Sequence, residues 1–150
     1  MVRSKIDGLV FTEIPQILDP RGAVLHVLRE DSSDYSRFGE CYVSEIFPGA
    51  IKAWKKHDKQ IQNLALPTGR IKLVTYDDRP ESASYKELQI VEIGRPDAYY
   101  RIHISPGIWY GFTCISANPA YLINCANQIH DPSESVSIPM DDPRIPYRWY

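Results

Sequence analysis

The chain has 150 residues, 43% apolar and 24% charged, with 17 basic and 19 acidic side chains and a net charge of −2. That length predicts one domain, 1–150, with a core of its own. The balance excludes a disordered chain and a general affinity for nucleic acid. No apolar run approaches the roughly 18 residues of a membrane span, and the N-terminus lacks an apolar signal core. A cytoplasmic protein with no membrane partner is expected. Cys41, Cys114 and Cys125 form no C-x-x-C pair and lie in apolar, strand-like contexts, which fits buried free thiols in a reducing compartment.

Twelve prolines against two methionines point to strands and turns rather than helices. Ile6 to Ile14 alternates loosely and reads as a strand. Asp19-Pro20-Arg21-Gly22 is a turn signal, and Ala23 to Leu28 reads as the next strand. Asp31 to Gly39 is polar and reads as a loop or one short helical turn. Further strands are predicted over Glu40 to Phe47, Ile51 to His57, Gln60 to Leu66 and Arg70 to Tyr76, with a turn at Pro67-Thr68-Gly69. Glu87 to Ile93, Tyr100 to Ile104, Tyr110 to Ile115 and Tyr121 to Ala126 complete the set. The tail, about 130–150, carries Pro132, Pro139, Pro143 and Pro146 and reads as mostly irregular. Short strands with turn punctuation every 8 to 12 residues or so argue for an all-β sandwich or barrel. A cupin-type jelly roll, a double-stranded β-helix barrel, fits the two pieces of chain placed where such barrels hold ligands. These are Lys55-Lys56-His57 with Gly69, and Pro106-Gly107-Ile108-Trp109-Tyr110.

The densest polar stretch surrounds His57, with Lys52, Lys55, Lys56, Gln60, Gln62 and Asn63. One imidazole among protonated lysines does not make a metal site, which takes three or four protein ligands. That leaves His57 as a general base or as a structural histidine. A neutral imidazole suits proton abstraction near neutral pH and needs a group, commonly a carboxylate, to hold its tautomer. Along Ile71 to Tyr76 the period of two puts Lys72, Val74 and Tyr76 on one face and Ile71, Leu73 and Thr75 on the other. If the first set faces the interior, Lys72 is a cation for an enolate; if the second does, Lys72 is in solvent. Tyr99, Tyr100, Trp109, Tyr110 and Phe112 read as core and dimer packing, or as a platform for a nucleoside base with Tyr110 a proton donor. His26, His103 and His130 each stand alone and read as structural or surface residues.

Asp19-Pro20-Arg21-Gly22, the hairpin through His57 to Gly69, Val74 to Arg79, Pro106 to Phe112 and Asp141 to Trp149 occur in this order. Together they resemble the dTDP-4-dehydrorhamnose 3,5-epimerase family over nearly the whole chain. The resemblance implies a homodimeric cupin that needs no metal or other cofactor and acts on nucleotide-linked 4-keto-6-deoxy sugars in deoxysugar and cell-surface polysaccharide biosynthesis. It implies His57 as the base, Asp142 as the carboxylate that orients it, and Arg21 as a grip on the nucleotide diphosphate.

The departures are specific. The family's R-G-L-H is Trp54-Lys55-Lys56-His57 here, so Lys55 or Lys56 is the substitute for an arginine. The enolate-stabilising lysine is expected near Gln62, with Lys72 a replacement. The tyrosine acid belongs near Ile123 in Tyr121-Leu122-Ile123-Asn124-Cys125, where no tyrosine stands, and a family histidine is Tyr110. The expected site is thus His57, Asp142 and Tyr110 for chemistry, with Arg21, Lys55, Gln62, Lys72 and Asn124 for binding. An epimerase follows, with a keto-sugar isomerase or a non-catalytic sugar-nucleotide-binding cupin as alternatives.

Overall fold

The computed structural model describes residues 2–150. Twelve strands follow in chain order: β1 (Leu9–Glu13), β2 (Gln16–Asp19), β3 (Gly22–Leu25), β4 (Glu40–Ile46), β5 (Ile51–His57), β6 (Gln62–Thr68), β7 (Arg70–Asp77), β8 (Leu88–Gly94), β9 (Tyr100–Ile104), β10 (Ile108–Cys114), β11 (Ala120–Ala126) and β12 (Ser135–Ser137). One five-stranded sheet has the order β1-β9-β6-β11-β4, the other β12-β5-β10-β7-β8, and β2-β3 is a separate hairpin. The two sheets face each other, as the jelly-roll expectation requires. Leu64, Leu66, Ile102 and Leu122 of the first share one core with Ile71, Leu73, Ile93 and Phe112 of the second.

Most strand boundaries fall within two residues of the sequence reading, and three features differ. The sequence reading had no strand at Gln16–Asp19, yet β2 pairs there with β3 across the Asp19-to-Gly22 turn. Strand β6 runs through Pro67, because the register slips between Tyr121 and Ile123 and the proline sits in that irregularity rather than in a regular ladder. The turn is made at Gly69, whose φ is +87° and where a Cβ would lie 2.5 Å from Ala120 Cα. The tail also holds a one-turn 3-10 helix (Pro132–Glu134) and β12, which pairs with β5.

A second irregularity shapes the interior. Tyr110 pairs with Lys55 but Phe112 pairs with Lys52, so two residues of β5, Ala53 and Trp54, stand opposite Gly111 alone. Such a bulge resets the inside–outside alternation. Lys52 and Lys55, three positions apart, both reach the interior cavity, while Trp54 is packed with Val74, Tyr76 and Trp109 in a cluster on the outer face. Gly111 is required there, since a Cβ would lie 2.6 Å from the Ala53 Cβ.

The chain after β12 covers this outer cluster with Ile138, Ile145, Tyr147 and Trp149. Strand β7 is therefore apolar on both faces, which is why its alternation left two readings open.

The end of β7 is held by a buried carboxylate. Asp77 is fully buried and accepts hydrogen bonds from Arg79 Nε (2.8 Å), Ser82 Oγ (2.6 Å) and Ser84 Oγ (2.6 Å). Burial pushes the Asp77 carboxyl up, but these bonds together outweigh it and hold the group well below the ordinary carboxylate range. A carboxyl depressed in the folded state adds stability above its unfolded pKa of about 4, and that stability is lost as the pH falls toward the folded value. Asp77→Asn is expected to lower the unfolding free energy by about 3 kcal/mol at pH 7, and to lose less than the parent between pH 7 and 3. Urea titrations at the two pH values check this; an equal acid loss in both proteins would contradict it.

Candidate active site

A cavity of about 330 Å³ lies between the sheets, lined by Tyr42 and Ser44 of β4, Lys52 and Lys55 of β5, Tyr110 of β10 and Asn124 of β11. His57 ends β5 behind this lining and is only 6% exposed. Its backbone carbonyl accepts from Gly107 N–H (2.7 Å), which ties the β9–β10 turn to it.

The carboxylate on His57 comes from the tail. Asp131 caps the 3-10 turn by accepting from Ser133 N–H (2.9 Å), and Pro132 opens it. Glu134 closes the turn just before β12, and it is 6% exposed. Because Ser135 pairs with His57 in the β12–β5 ladder, Glu134 arrives beside the imidazole. Glu134 Oε1 pairs with His57 Nδ1. Its other oxygen accepts from the backbone N–H groups of Lys59 (3.2 Å) and Gln60 (3.2 Å).

These contacts set protonation. Burial is the largest influence on His57 and lowers its pKa, Glu134 opposes it, and the balance, with Lys55 adding to the lowering, lies below the ordinary value. Burial raises the Glu134 carboxyl, but the bonds from His57, Lys59 and Gln60 bring it below the ordinary value. At neutral pH the pair is a neutral imidazole and a carboxylate. Nδ1–H donates to Glu134, so Nε2 carries the lone pair. Tyr110 Oη stands 3.1 Å from Nε2 and donates to it, and burial holds its phenol far above the ordinary range, hence neutral.

The structure reassigns several expected site residues. Asp142 does not meet His57: Arg144 takes both its oxygens, at 3.0 and 2.8 Å, and Arg144 N–H adds a third bond. The same D-x-R spacing pairs locally at Asp19–Arg21 and Asp77–Arg79. Lys72 faces outward, beneath the tail, 5.5 Å from the Tyr147 ring centroid and 5.7 Å from that of Trp149. Ile71 and Leu73 take the interior, so the alternative in which Lys72 meets an enolate is not realised.

The aromatic set does not form one platform. Tyr100, Tyr110 and Phe112 belong to the main core, Trp109 to the outer cluster, and Tyr99 to a third cluster with Ile14 and Ala65. Arg21 tips the β2–β3 hairpin, its side chain 90% exposed and paired with Asp19. Lys55 and Asn124 do line the cavity. Gln62 is fully buried and accepts from Asn124 Nδ2.

The sequence reading missed Glu134, Tyr42 and Ser44, and named Lys52 only as part of the polar stretch around His57. Asp131-Pro132-Ser133-Glu134 carries a cap signal for a short turn, but nothing local directs its last carboxylate to a histidine 77 residues away. Ile123 lies between the inward Leu122 and Asn124 and so faces away from the cavity. Among the described residues no group of three or more His, Cys, Asp or Glu is placed to hold a metal ion.

The family described as dTDP-4-dehydrorhamnose 3,5-epimerase matches residues 3–150. A crystal structure of a dTDP sugar isomerase from Desulfovibrio desulfuricans G20 is 41% identical and superimposes with a TM-score of 0.96, covering 99% of this chain and 95% of that one. The probable low-salt glycan biosynthesis epimerase Agl13 of Haloferax volcanii is 38% identical over 131 residues, 86% of this chain and 80% of its own length. The spore coat polysaccharide biosynthesis protein SpsL of Bacillus subtilis is 28% identical over 96% of each chain.

The His57–Glu134 pair makes a direct expectation. Replacing Glu134 by Gln removes the carboxylate that favours the imidazolium, so the His57 pKa, already below the usual 6.5, should fall further. Nitrogen-detected NMR titration of the ring checks this, and a rise in the variant would contradict the pairing.

Proposed function

Because the chain belongs to the dTDP-4-dehydrorhamnose 3,5-epimerase family, we propose that it epimerises a nucleotide-linked 4-keto-6-deoxy sugar by removing a proton next to the ketone. The observation that carries this reading is the buried Glu134–His57–Tyr110 chain ending at the cavity. A C–H beside a carbonyl is acidified because its deprotonation gives an enolate. His57 is the base that a carboxylate holds in the accepting tautomer. Tyr110 relays the transfer: its oxygen takes the carbon-bound proton while its own proton passes to Nε2, and Glu134 steadies the resulting imidazolium. Lys52 and Lys55 put positive charge in the same cavity, where it stabilises the enolate oxygen.

In this reading Tyr110 belongs to the base side, and the acid that returns a proton lies elsewhere. Mixing enzyme with dTDP- and UDP-linked 4-keto-6-deoxyhexoses in D₂O tests the proposal by proton NMR. Deuterium should enter beside the ketone. His57→Asn should slow its entry by about a thousandfold and Tyr110→Phe by about a hundredfold. A wild-type protein that binds these sugars without any exchange is instead a binding module.

A homodimer belongs to the same proposal. Ile17, Leu18 and Val24 on the β2–β3 hairpin and Val43 on β4 are 54%, 67%, 60% and 59% exposed, apolar surface of the kind a second copy would cover. The hairpin carries Arg21, whose exposed bond to Asp19 is weak enough to exchange for a diphosphate. Leu18→Glu is expected to shift sedimentation from dimer to monomer. Arg21→Ala is expected to raise KM more than it lowers kcat.

A further inference from the structure

Inverting a carbon requires a proton to leave from one face of the enolate and return to the other. The base side of the cavity lies on one sheet, with His57 on β5 and Tyr110 on β10; the other wall is the sheet containing β6, β11 and β4. A planar enolate held between the sheets shows one face to each. The acid is therefore to be sought on the second wall, where Tyr42 is a phenol lining the cavity.

Hydrogen-bond polarity on that wall is fixed from one end. The carbonyl of Gln128 can only accept, and Gln60 Nε2 donates to it at 2.7 Å. This turns Gln60 Oε1 toward Gln62, whose Nε2 donates to it. Gln62 Oε1 in turn accepts from Asn124 Nδ2. The same Asn124 amide nitrogen donates to Tyr42 Oη at 2.9 Å. Each amide is set by the one before it, so Tyr42 meets Asn124 as an acceptor and its own O–H is left to donate.

That proton has no acceptor among the described residues. Asn124, 3% exposed, also keeps a buried Oδ1 with no donor among them, a place for a sugar hydroxyl. Tyr110 has the opposite polarity, giving its proton to His57 and showing its oxygen to the cavity.

We propose that Tyr42 is the catalytic acid that returns the proton to the face opposite His57 and Tyr110, with Asn124 as its positioning residue. This rests on the epimerase reading above. The balance is simple: the Tyr42 O–H bond breaks as the new C–H bond forms and the enolate becomes the ketone again. The phenolate then recovers a proton from solvent at the cavity mouth, where Tyr42 is 42% exposed. Burial raises the Tyr42 phenol pKa more than the Asn124 bond lowers it, so the group enters each cycle protonated. The Asn124 bond stabilises the phenolate while it lasts.

The experiment separates the two faces. Wild type, Tyr42→Phe and Asn124→Asp are mixed with dTDP- and UDP-linked 4-keto-6-deoxyhexoses in D₂O, and NMR follows deuterium entry and inversion separately. Tyr42→Phe keeps the ring in place, so folding is retained. It is expected to keep deuterium entry within about threefold of wild type, with retained configuration, while inversion falls by about a hundredfold. Asn124→Asp puts an acceptor-only carboxylate on the phenol, turns its proton away, and is expected to reproduce that split. Inversion by Tyr42→Phe at the wild-type rate would overturn the assignment. So would a parallel loss of entry and inversion, which would mean that Tyr42 only shapes the cavity. A wild-type protein silent in both readouts sinks the epimerase reading itself, and the Tyr42 assignment with it.

Discussion

The pairing of Glu134 with His57 is the contact on which the rest of the site depends. A carboxylate carried into the interior without partners would be neutralised or expelled. Here both oxygens are engaged, by the imidazole and by the backbone N–H groups of Lys59 and Gln60. The imidazole stays neutral, so the pair carries one buried charge rather than two. The placement is made by backbone: the capped turn at Asp131, the β12–β5 ladder and the bond from Asp58 N–H to the Glu134 carbonyl at 2.8 Å deliver the side chain. With Nδ1 committed as donor, Nε2 accepts and Tyr110 turns its hydroxyl proton toward it.

The bulge in β5 has a comparable reach. It lets Lys52 and Lys55 share the cavity and sends Trp54 outward, where Trp54 Nε1 donates to the Met140 carbonyl at 3.1 Å. Trp54 also pairs through its backbone with Ile138. The segment that brings Glu134 to the histidine thus continues into the tail that covers the back of the same sheet. Loosening the tail would loosen His57, since both hang from β5.

Seen across the cavity, the walls differ in hydrogen-bond polarity as well as in charge, since Lys52 and Lys55 stand on the β5 wall. One wall ends in an anionic acceptor, Glu134, and passes accepting character through the imidazole to Tyr110. The other begins at the Gln128 carbonyl and hands donor character along Gln60, Gln62 and Asn124 to Tyr42. Two phenols are thereby given opposite hydrogen-bond directions by what stands behind them. Burial raises the pKa of both, so both phenols are neutral at rest, and they differ in the direction of their hydrogen bonds.

Local chemistry determined the all-β class and most strand limits: turn residues interrupt the chain at short intervals, and Ile51 to His57 and Tyr100 to Ile104 alternate or cluster as strands must. It also marked His57, a lone imidazole in a polar stretch, but not the D-x-R spacing, in which an arginine two residues on takes the carboxylate. Taking Asp142 as the partner overlooked that local claim by Arg144. Only tertiary structure decided which face of β7 is inside, because the tail buries both. Tertiary structure also decided that Glu134 meets His57 and that Tyr42 meets Asn124. Those contacts join residues 77 and 82 positions apart, through strand pairing and a bulge that no local pattern encodes. A side chain's chemistry is written in the sequence; its hydrogen-bond direction is set by whatever the fold puts next to it.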